Sequence, residues 1–241
     1  MNKDLIRKRF AKNLSTYNEN ARIQEQMSEK LLSFADKNEY ENILEIGCGT
    51  GLLTQKTFEK FLFKNYISND IVEDCSKYIQ SISPEINFIC DDAENFIKND
   101  KKKYDLILSN AVFQWIENFE EFIFELINKL NTGGSLLFST FGTENFREIY
   151  HVLGKTLPYK SVKDYQEIFK TQNFIIEEEI RILAFKSSKD ILKHIKNTGV
   201  NALNETYWTK TDMSNFEKGY NNFCSGSPTL TYNPIYIKIT K

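Results

Sequence analysis

The sequence predicts an α/β fold in which helices cover both faces of a doubly wound, mostly parallel sheet. Between residues 41 and 142, short apolar runs alternate with amphipathic stretches of helical spacing. A glycine-rich loop at residues 47–51 follows the first apolar run, and acidic residues follow the second and third runs. Strands that alternate with helices imply βαβ units with right-handed crossovers, in which such loops and side chains gather at the carboxyl ends of the strands.

Length and composition predict one domain, residues 1–241. A chain of 241 residues with 41% hydrophobic and 27% charged residues supports one sizeable core. The net charge of −2 gives no global field for nucleic acid or an anionic membrane. The start of the chain is too charged for a signal peptide, and no run of about 18 apolar residues is present. We therefore expect a cytoplasmic monomer, with four unpaired cysteines and no metal site.

Residues 1–40 are predicted to form a helical lid. Helical spacing is marked by Ala21, Gln24, Met27, Leu31 and Phe34, and residues 36–38 offer a stop.

The core segment, residues 41–142, is predicted to bind the nucleotide part of a ligand. Its apolar runs predict strands at 42–46, 65–68, 86–90, 104–109 and 135–141. Helices are predicted to begin near residues 51, 72 and 117.

Residues 143–241 are predicted to form the substrate side. The pattern predicts helices around 145–153 and 163–169, a strand at 174–185, a helical region after 188 and a strand at 230–240. Two late strands that flank a helical insertion suit an antiparallel pair at one sheet edge, and Pro234 predicts a bend in the last strand. The insertion is expected to cap the ligand crevice.

The loop and the acidic strand ends predict an adenosine site without a pyrophosphate. Glycines at 47, 49 and 51 permit a tight turn and a close approach of the backbone to the ligand. Asp70 ends the second strand, where a carboxylate accepts hydrogen bonds from both ribose hydroxyls. After the third strand, Asp92 is expected to accept from the adenine amino group and Ala93 to give a backbone contact, with Asp91 as a rival to Asp92.

These residues resemble the signature of the class I methyltransferases, E/D-x-G-x-G-x-G, which Glu45, Gly47, Gly49 and Gly51 match directly. The resemblance implies a Rossmann-like methyltransferase sheet. It also implies that S-adenosylmethionine is the cofactor and S-adenosylhomocysteine the product.

The end of the fourth strand is predicted to meet the acceptor. Residues 109–115 include Gln114 and Trp115, and we expect both to position the reacting groups. An aromatic face stabilises a sulfonium cation, and an amide can hydrogen-bond an oxygen acceptor. Phe113 is interpreted as a core residue.

The whole chain resembles the malonyl-[acyl-carrier protein] O-methyltransferases of biotin synthesis. Its cues are Phe10, Tyr17, Ala21, Gln24, Ser109, Asn110, Gln114, Trp115, residues 138–141, Glu148, Ile195, Lys196, Gly199 and residues 230–232. The resemblance implies methylation of the free malonyl carboxylate on acyl-carrier protein or coenzyme A, and it adds Gln24 and Asn110 to the cofactor-binding residues. A methyltransferase for another small acid or quinone precursor, and a non-catalytic donor-binding subunit, stay open as alternatives.

A carboxylate acceptor is already ionised at about pH 7, so we expect no general base. Tyr17 is the predicted lid residue, with a hydroxyl that reaches donor or acceptor. The acceptor carboxylate needs a cation or several neutral donors. The candidate cations are Arg147, Lys196 and Lys12, and the sequence does not choose between them.

Two basic segments are predicted to receive the carrier protein, which the resemblance implies is acidic. Residues 1–12 contain five basic side chains and one acidic side chain, and residues 181–196 have the same balance. If both segments border the crevice, they form a positive rim that steers an acidic partner.

Overall fold

A computed structural model describes residues 2–198 and 209–241. The described chain begins with two helices, α1 (Lys3–Asn20) and α2 (Arg22–Leu32), in the segment predicted to be helical. The side chain of Asn2 caps α1 by accepting from the backbone N–H of Leu5 at 3.0 Å, which satisfies one unpaired donor of the first turn. Gly199, one of the residues that carry the resemblance, lies outside the described residues.

The strands are β1 (Glu39–Ile46), β2 (Leu62–Asp70), β3 (Asn87–Cys90), β4 (Tyr104–Asn110), β5 (Leu130–Phe141), β6 (Asn173–Glu178), β7 (Arg181–Ala184), β8 (Thr229–Tyr232) and β9 (Pro234–Thr240). Among the described residues, seven of them form one sheet in the order β3-β2-β1-β4-β5-β9-β6. Pairing is parallel from β3 to β5, and β9 runs antiparallel to both β5 and β6. The predicted mostly parallel sheet with an antiparallel strand is confirmed, and β9 lies one position in from the edge strand β6.

The remaining helices are α3 (Leu52–Lys60), α4 (Cys75–Ile82), α5 (Ala93–Asn99), α6 (Phe119–Lys129), α7 (Arg147–Leu153), α8 (Val162–Ile168), α9 (Ser188–Asn197) and α10 (Lys210–Phe223). Two late helices begin at capping boxes, Ser161 with Asp164 and Thr209 with Asp212. Helix α5 was not predicted from the sequence.

Both faces of the sheet are covered, as β4 illustrates. Leu106 and Leu108 pack into the apolar cluster on one face, whereas Ile107 packs into the cluster on the other. All three side chains are fully buried. A strand with helices on both sides has no solvent-facing positions, which explains why its sequence is a continuous apolar run rather than an alternating one.

The two late strand-like runs each divide into two strands. The predicted strand at 174–185 breaks at residues 179–180, so that β6 joins the large sheet and β7 pairs antiparallel with β8. The run at 230–240 breaks at Asn233, next to Pro234, as the predicted bend requires. The buried Asn233 amide holds this corner because it donates to Glu178 Oε1 and to the backbone oxygen of Glu179, both at 3.0 Å. The apolar periodicity of the two runs did not indicate that the chain passes from one sheet to the other within each run.

Within residues 2–198 and 209–241, no helix combines the length and the apolar character that crossing a membrane requires.

Candidate active site

The principal cavity lies at the carboxyl ends of β1, β2 and β4, underneath α1. It encloses about 1090 Å³, including its open mouth. One face of α1 lines it at helical spacing, through Lys3, Ile6, Phe10, Leu14 and Tyr17. The predicted lid helix therefore covers the crevice at which the parallel strands end.

The glycine-rich loop forms the floor of the cavity. Gly47 adopts a left-handed conformation with φ +70°, and a Cβ atom there would lie 2.3 Å from Cγ2 of Val112. Gly49 also has a positive φ, +53°, but a Cβ atom there would meet nothing within 4 Å because this residue faces the open cavity. Gly51 turns the chain into α3 and does not line the cavity. The loop thus exposes backbone rather than side chains to a ligand.

Asp70, at the end of β2, joins the loop to the next turn. Its Oδ2 atom accepts from the N–H of Gly49 and its Oδ1 atom accepts from the N–H of Val72, each at 2.9 Å. Burial raises the pKa of the Asp70 carboxyl, although these two backbone donors favour the charged form. The carboxylate lines the cavity with lone pairs that remain for ligand hydroxyl groups.

Glu45, the acidic residue of the motif, holds the loop from behind. It is 1% exposed, and its Oε2 atom accepts from Thr54 Oγ1 at 2.6 Å and from the Tyr66 hydroxyl at 2.5 Å. Burial raises the pKa of Glu45 to about 7, against the opposing effect of those two hydrogen bonds. Its side chain anchors β1 to α3 and β2 and also reaches the cavity wall.

Two acidic residues follow β3, and Asp92, not its neighbour Asp91, lines the cavity. Asp91 turns back to accept from the N–H of Asp92 at 2.8 Å and from the amide of Asn95 at 2.7 Å. Asp92 caps α5, and its Oδ2 atom lies 2.9 Å from the ammonium of Lys3. Ala93 lines the cavity beside it.

Gln24 of α2 and Asn110 of β4 lie side by side in the cavity wall. The Asn110 amide donates to the backbone oxygen of Gln24 at 2.9 Å, and both residues line the wall. Gln24 is 3% exposed, and within the described part of the chain its Oε1 atom has no hydrogen-bond partner. A buried oxygen without a donor costs about 1–3 kcal/mol. This atom is therefore an acceptor to which a ligand in the cavity can donate a hydrogen bond.

The polar atoms on these walls fit S-adenosylmethionine. Asp70, Asp92 and the orphaned Gln24 oxygen are all acceptors, which suits a ligand that carries ribose hydroxyls, amino groups and a positive charge. Lys3 is the one cation among the described residues that line the cavity, and its ammonium is held by Asp92 and by Glu94, at 2.9 and 2.5 Å. The described walls thus offer no unpaired cation for a pyrophosphate.

Aromatic side chains close the cavity on the lid side. The rings of Phe10 and Trp115 meet edge to face at 6.0 Å, and those of Phe10 and Tyr17 lie 6.4 Å apart. Burial and the nearby Asp70 raise the pKa of Tyr17, so its hydroxyl keeps its proton at neutral pH. The structure brings Tyr17 and Trp115 together around the donor cavity, as the sequence predicted.

Gln114 lies on a second cavity, of about 790 Å³, and not on the first. Its amide donates to the backbone oxygen of Ala111 at 2.7 Å, and its Oε1 atom accepts from Thr140 at 3.3 Å. Ala111 has a left-handed backbone with φ +58°, and this turn sends Asn110 and Gln114 into different cavities. Ile116 lines both cavities, which therefore lie next to each other there.

The three candidate cations lie outside the residues that line either cavity. Arg147 begins α7 on the surface, 3.5 Å from Glu144, and Lys196 and Lys12 are exposed on α9 and α1. Helix α7, which carries Arg147, packs against α10 and β8, whereas α9, which carries Lys196, packs against α1.

Sequence reasoning missed Lys3 and Tyr159 as wall residues. Lys3 contacts Asp92 only because α1 folds across the sheet, which local sequence does not encode. Tyr159 lies in the irregular segment between α7 and α8, where no periodicity marks an inward-facing position. A tyrosine beside a proline in a loop carries no signal by itself.

Residues 17–179 match a family model described as a methyltransferase domain. A relative from Chlorobium luteolum is 34% identical, with 99% of this chain and 95% of the relative covered. A second, from Calditerrivibrio nitroreducens, is 36% identical over 96% of this chain and 94% of the relative. Both relatives are named malonyl-[acyl-carrier protein] O-methyltransferase.

Solved structures share the fold at low sequence identity. A putative methyltransferase from Bacillus halodurans has a TM-score of 0.63 and 15% identity, covering 90% of this chain and 99% of that one. An N-methyltransferase from Bradyrhizobium japonicum, in complex with S-adenosylhomocysteine, has a TM-score of 0.51 and 15% identity, with 92% and 87% covered. These similarities confirm the class I fold predicted from the sequence.

Proposed function

The chain belongs to the malonyl-[acyl-carrier protein] O-methyltransferases, and from this premise we propose that it methylates the free carboxylate of a malonyl thioester. The methyl donor is S-adenosylmethionine, and the acceptor is malonyl held on acyl-carrier protein or coenzyme A. The product is the malonyl methyl ester, which we place in biotin synthesis. The observation that carries the proposal is the cavity lined by acceptor atoms of Asp70, Asp92 and Gln24 and covered by Tyr17 and Trp115.

The chain's own residues divide the work of holding the donor. We assign the ribose to Asp70, the adenine to Asp92 and Ala93, and the amino group to the orphaned oxygen of Gln24. Because Gly47 and Gly49 have no side chains, the ligand can approach the backbone closely there. Glu45 holds the loop in place, and Asn110 holds β4. When bound, the donor supplies a methyl group activated by a sulfonium sulfur.

The acceptor needs to be positioned rather than deprotonated. A carboxylic acid whose pKa is about 4 in water is ionised at neutral pH, so no side chain has to remove a proton. Holding the carboxylate oxygen in line with the methyl carbon supplies on the order of 7–11 kcal/mol through proximity and orientation. Tyr17 and Trp115 perform this task and, together with Phe10, exclude water from the site.

The charge of the acceptor gives the reaction a physical purpose. Moving a free carboxylate into an apolar environment is costly, whereas a methyl ester enters it readily. Methylation therefore lets enzymes with apolar acyl pockets accept a malonyl starter. We propose that the reaction takes place in the cytoplasm and that the chain acts as a monomer.

The test is methyl transfer from labelled S-adenosylmethionine to four acceptors: malonyl-coenzyme A, malonyl-carrier protein, free malonate and trans-aconitate. We expect label in the two thioesters only. Label in free malonate or trans-aconitate would indicate a methyltransferase for another small acid, and label in none would indicate a non-catalytic donor-binding subunit.

A matched pair of glycine variants ties the activity to the cavity. Gly49 and Gly154 both have a positive φ, +53° and +64°, and a Cβ atom at either meets nothing within 4 Å. Alanine therefore brings similar backbone strain at both positions, but only Gly49 lines the cavity. Gly49→Ala should lower donor affinity and turnover, while Gly154→Ala should change neither.

A further inference from the structure

The second cavity opens at the carboxyl ends of β4 and β5 and adjoins the donor cavity at Ile116, which lines both. Its walls carry neutral polar groups, among them Gln114, Thr140 and Tyr159, beside aromatic rings and the charged side chains of Glu117 and Lys160. A chain-like acceptor that must present one end to the donor needs a pocket of this kind, next to the donor site. The inference that follows rests on the proposed function.

Tyr159 lies at the end of the second cavity that faces the donor. It lines that cavity and packs against the apolar cluster of Ile6, Trp115 and Leu157. Ile6 and Trp115 line the donor cavity from the other side of this cluster. The hydroxyl-bearing side chain thus stands in the second cavity against the wall of the first.

Asn145 fixes the direction in which the Tyr159 hydroxyl can act. The Oδ1 atom of Asn145 accepts from the backbone N–H of Asn233 at 3.2 Å, which orients the amide because an N–H can only donate. Its Nδ2 atom must then donate to the Tyr159 oxygen, at 2.9 Å. Since this oxygen already accepts, the phenolic proton of Tyr159 is left to donate to a ligand. Burial raises the pKa of Tyr159, which keeps that proton in place at neutral pH.

The neighbouring tyrosine is engaged elsewhere. Tyr232 lies near both Tyr17 and Tyr159. Its pKa is raised by burial and, to a smaller extent, by the electrostatic effect of these two phenol groups. Its hydroxyl pairs with Nε2 of His194 at 2.7 Å and its side chain is 1% exposed. Tyr232 therefore backs the wall, and Tyr17 and Tyr159 face the ligand from the two cavities.

The described cations on the walls of the two cavities, Lys3 and Lys160, both contact other side chains of the protein. Lys3 binds Asp92 and Glu94, and the ammonium of Lys160 lies 5.7 Å from the centroid of the Phe119 ring. A neutral donor also suits the chemistry, because a full ion pair would reduce the nucleophilicity of a carboxylate oxygen that must attack a methyl carbon.

We propose that the second cavity binds the malonyl thioester and that the Tyr159 hydroxyl, positioned by Asn145, donates a hydrogen bond to the acceptor carboxylate. In this arrangement the carboxylate points to the junction at Ile116. The thioester arm extends along Gln114 and Thr140 toward the mouth of the cavity.

The test compares binding of malonyl-coenzyme A and acetyl-coenzyme A to enzyme saturated with S-adenosylhomocysteine, by calorimetry. Acetyl-coenzyme A shares the thioester arm and lacks the carboxylate. Tyr159→Phe should weaken malonyl-coenzyme A at least about tenfold, as expected for one hydrogen bond to a charged group, and leave acetyl-coenzyme A unchanged. Tyr104→Phe is the matched control: this buried hydroxyl donates to Asp100 at 3.0 Å at the opposite end of β4.

A second variant tests the direction of the hydrogen bond. Asn145→Asp keeps the shape and the acceptor for Asn233, but it presents an acceptor to Tyr159 and so captures the phenolic proton. It should reproduce the malonyl-specific loss and raise KM for malonyl-coenzyme A more than it lowers kcat. A purely structural role would affect both thioesters equally.

Three results would overturn the inference. They are unchanged malonyl-coenzyme A binding in Tyr159→Phe, equal weakening of both thioesters, or a malonyl-specific loss in Lys160→Gln with none in Tyr159→Phe. Because this binding assay needs no turnover, it separates the inference from the proposed function. Failure of methyl transfer to malonyl in the wild type contradicts the function, whereas methyl transfer without a Tyr159 effect contradicts only the inference.

Discussion

Replacement of Asp70 by alanine tests the donor site at its most connected residue. Asp70 accepts from Gly49 and Val72 through its two oxygens and is proposed to accept from both ribose hydroxyls as well. A hydrogen bond to a charged group contributes about 1.5–3 kcal/mol, and about 1.4 kcal/mol corresponds to a tenfold change in affinity. Asp70→Ala should therefore weaken S-adenosylhomocysteine binding at least tenfold.

The variant also removes the acceptors of two backbone N–H groups, so loss of stability must be separated from loss of binding. Asp105 provides the control, because its Oδ2 atom accepts from the backbone N–H groups of Glu41 and Asn42 at 3.0 and 2.9 Å. These bonds lie near the amino ends of β1 and β4, at the opposite end of the strands from the cavity. Asp105→Ala should lower the melting temperature comparably and leave donor affinity intact.

Isothermal titration calorimetry on both variants, at a temperature where circular dichroism shows each one folded, gives the comparison. An Asp70→Ala affinity within twofold of wild type would remove this carboxylate from the ribose site. An equal loss of affinity in Asp105→Ala would show that the effect comes from destabilisation alone.

Three further predictions concern the lid, the missing base and the carrier. Tyr17→Phe should lower kcat more than donor affinity, since its hydroxyl orients groups; unchanged turnover in a stably folded variant would make it a packing residue. At saturating donor, kcat/KM for the acceptor should stay flat from about pH 6 to 8.5, because the carboxylate is ionised throughout. Burial lowers the pKa of His194, which favours the neutral imidazole. A rise near pH 6.5 that disappears in His151→Gln or His194→Gln would contradict the positioning mechanism. Changing the three basic residues at 7–9 to glutamate should raise KM for malonyl-carrier protein several-fold at low salt and leave KM for malonyl-coenzyme A unchanged. The effect is expected at low salt because charges are screened within about 3 Å at 1 M salt. Equal effects on both substrates would exclude residues 7–9 as the docking surface.

The donor side of the site could be predicted from sequence because its parts are local. A glycine loop, an acidic residue at the end of β2 and another after β3 each follow an apolar run, and parallel strands bring their carboxyl ends together. Asp70 and Asp92 accordingly line the same cavity. The alternation of runs also predicted the parallel core, whose strands, except β3, extend beyond the predicted bounds by a few residues.

The acceptor side could not be predicted in the same way, because it depends on long-range packing and on single backbone turns. The left-handed turn at Ala111 directs Gln114 into the second cavity, although the sequence places it next to Trp115. Tyr159 gains its role from Asn145, which a whole helix separates from it. Exposed cations such as Arg147 look alike in sequence whether or not they reach a site, so the candidates could not be ranked.

The most direct test of the central claim is the position of the transferred methyl group. Wild-type protein is incubated with S-adenosylmethionine carrying a ¹³C methyl group and with malonyl-coenzyme A, and the product is analysed by NMR and by mild alkaline hydrolysis. We expect one ester methyl resonance and release of labelled methanol. Label on carbon, nitrogen or sulfur, or a product without an ester methyl, would contradict carboxyl methylation of the malonyl thioester.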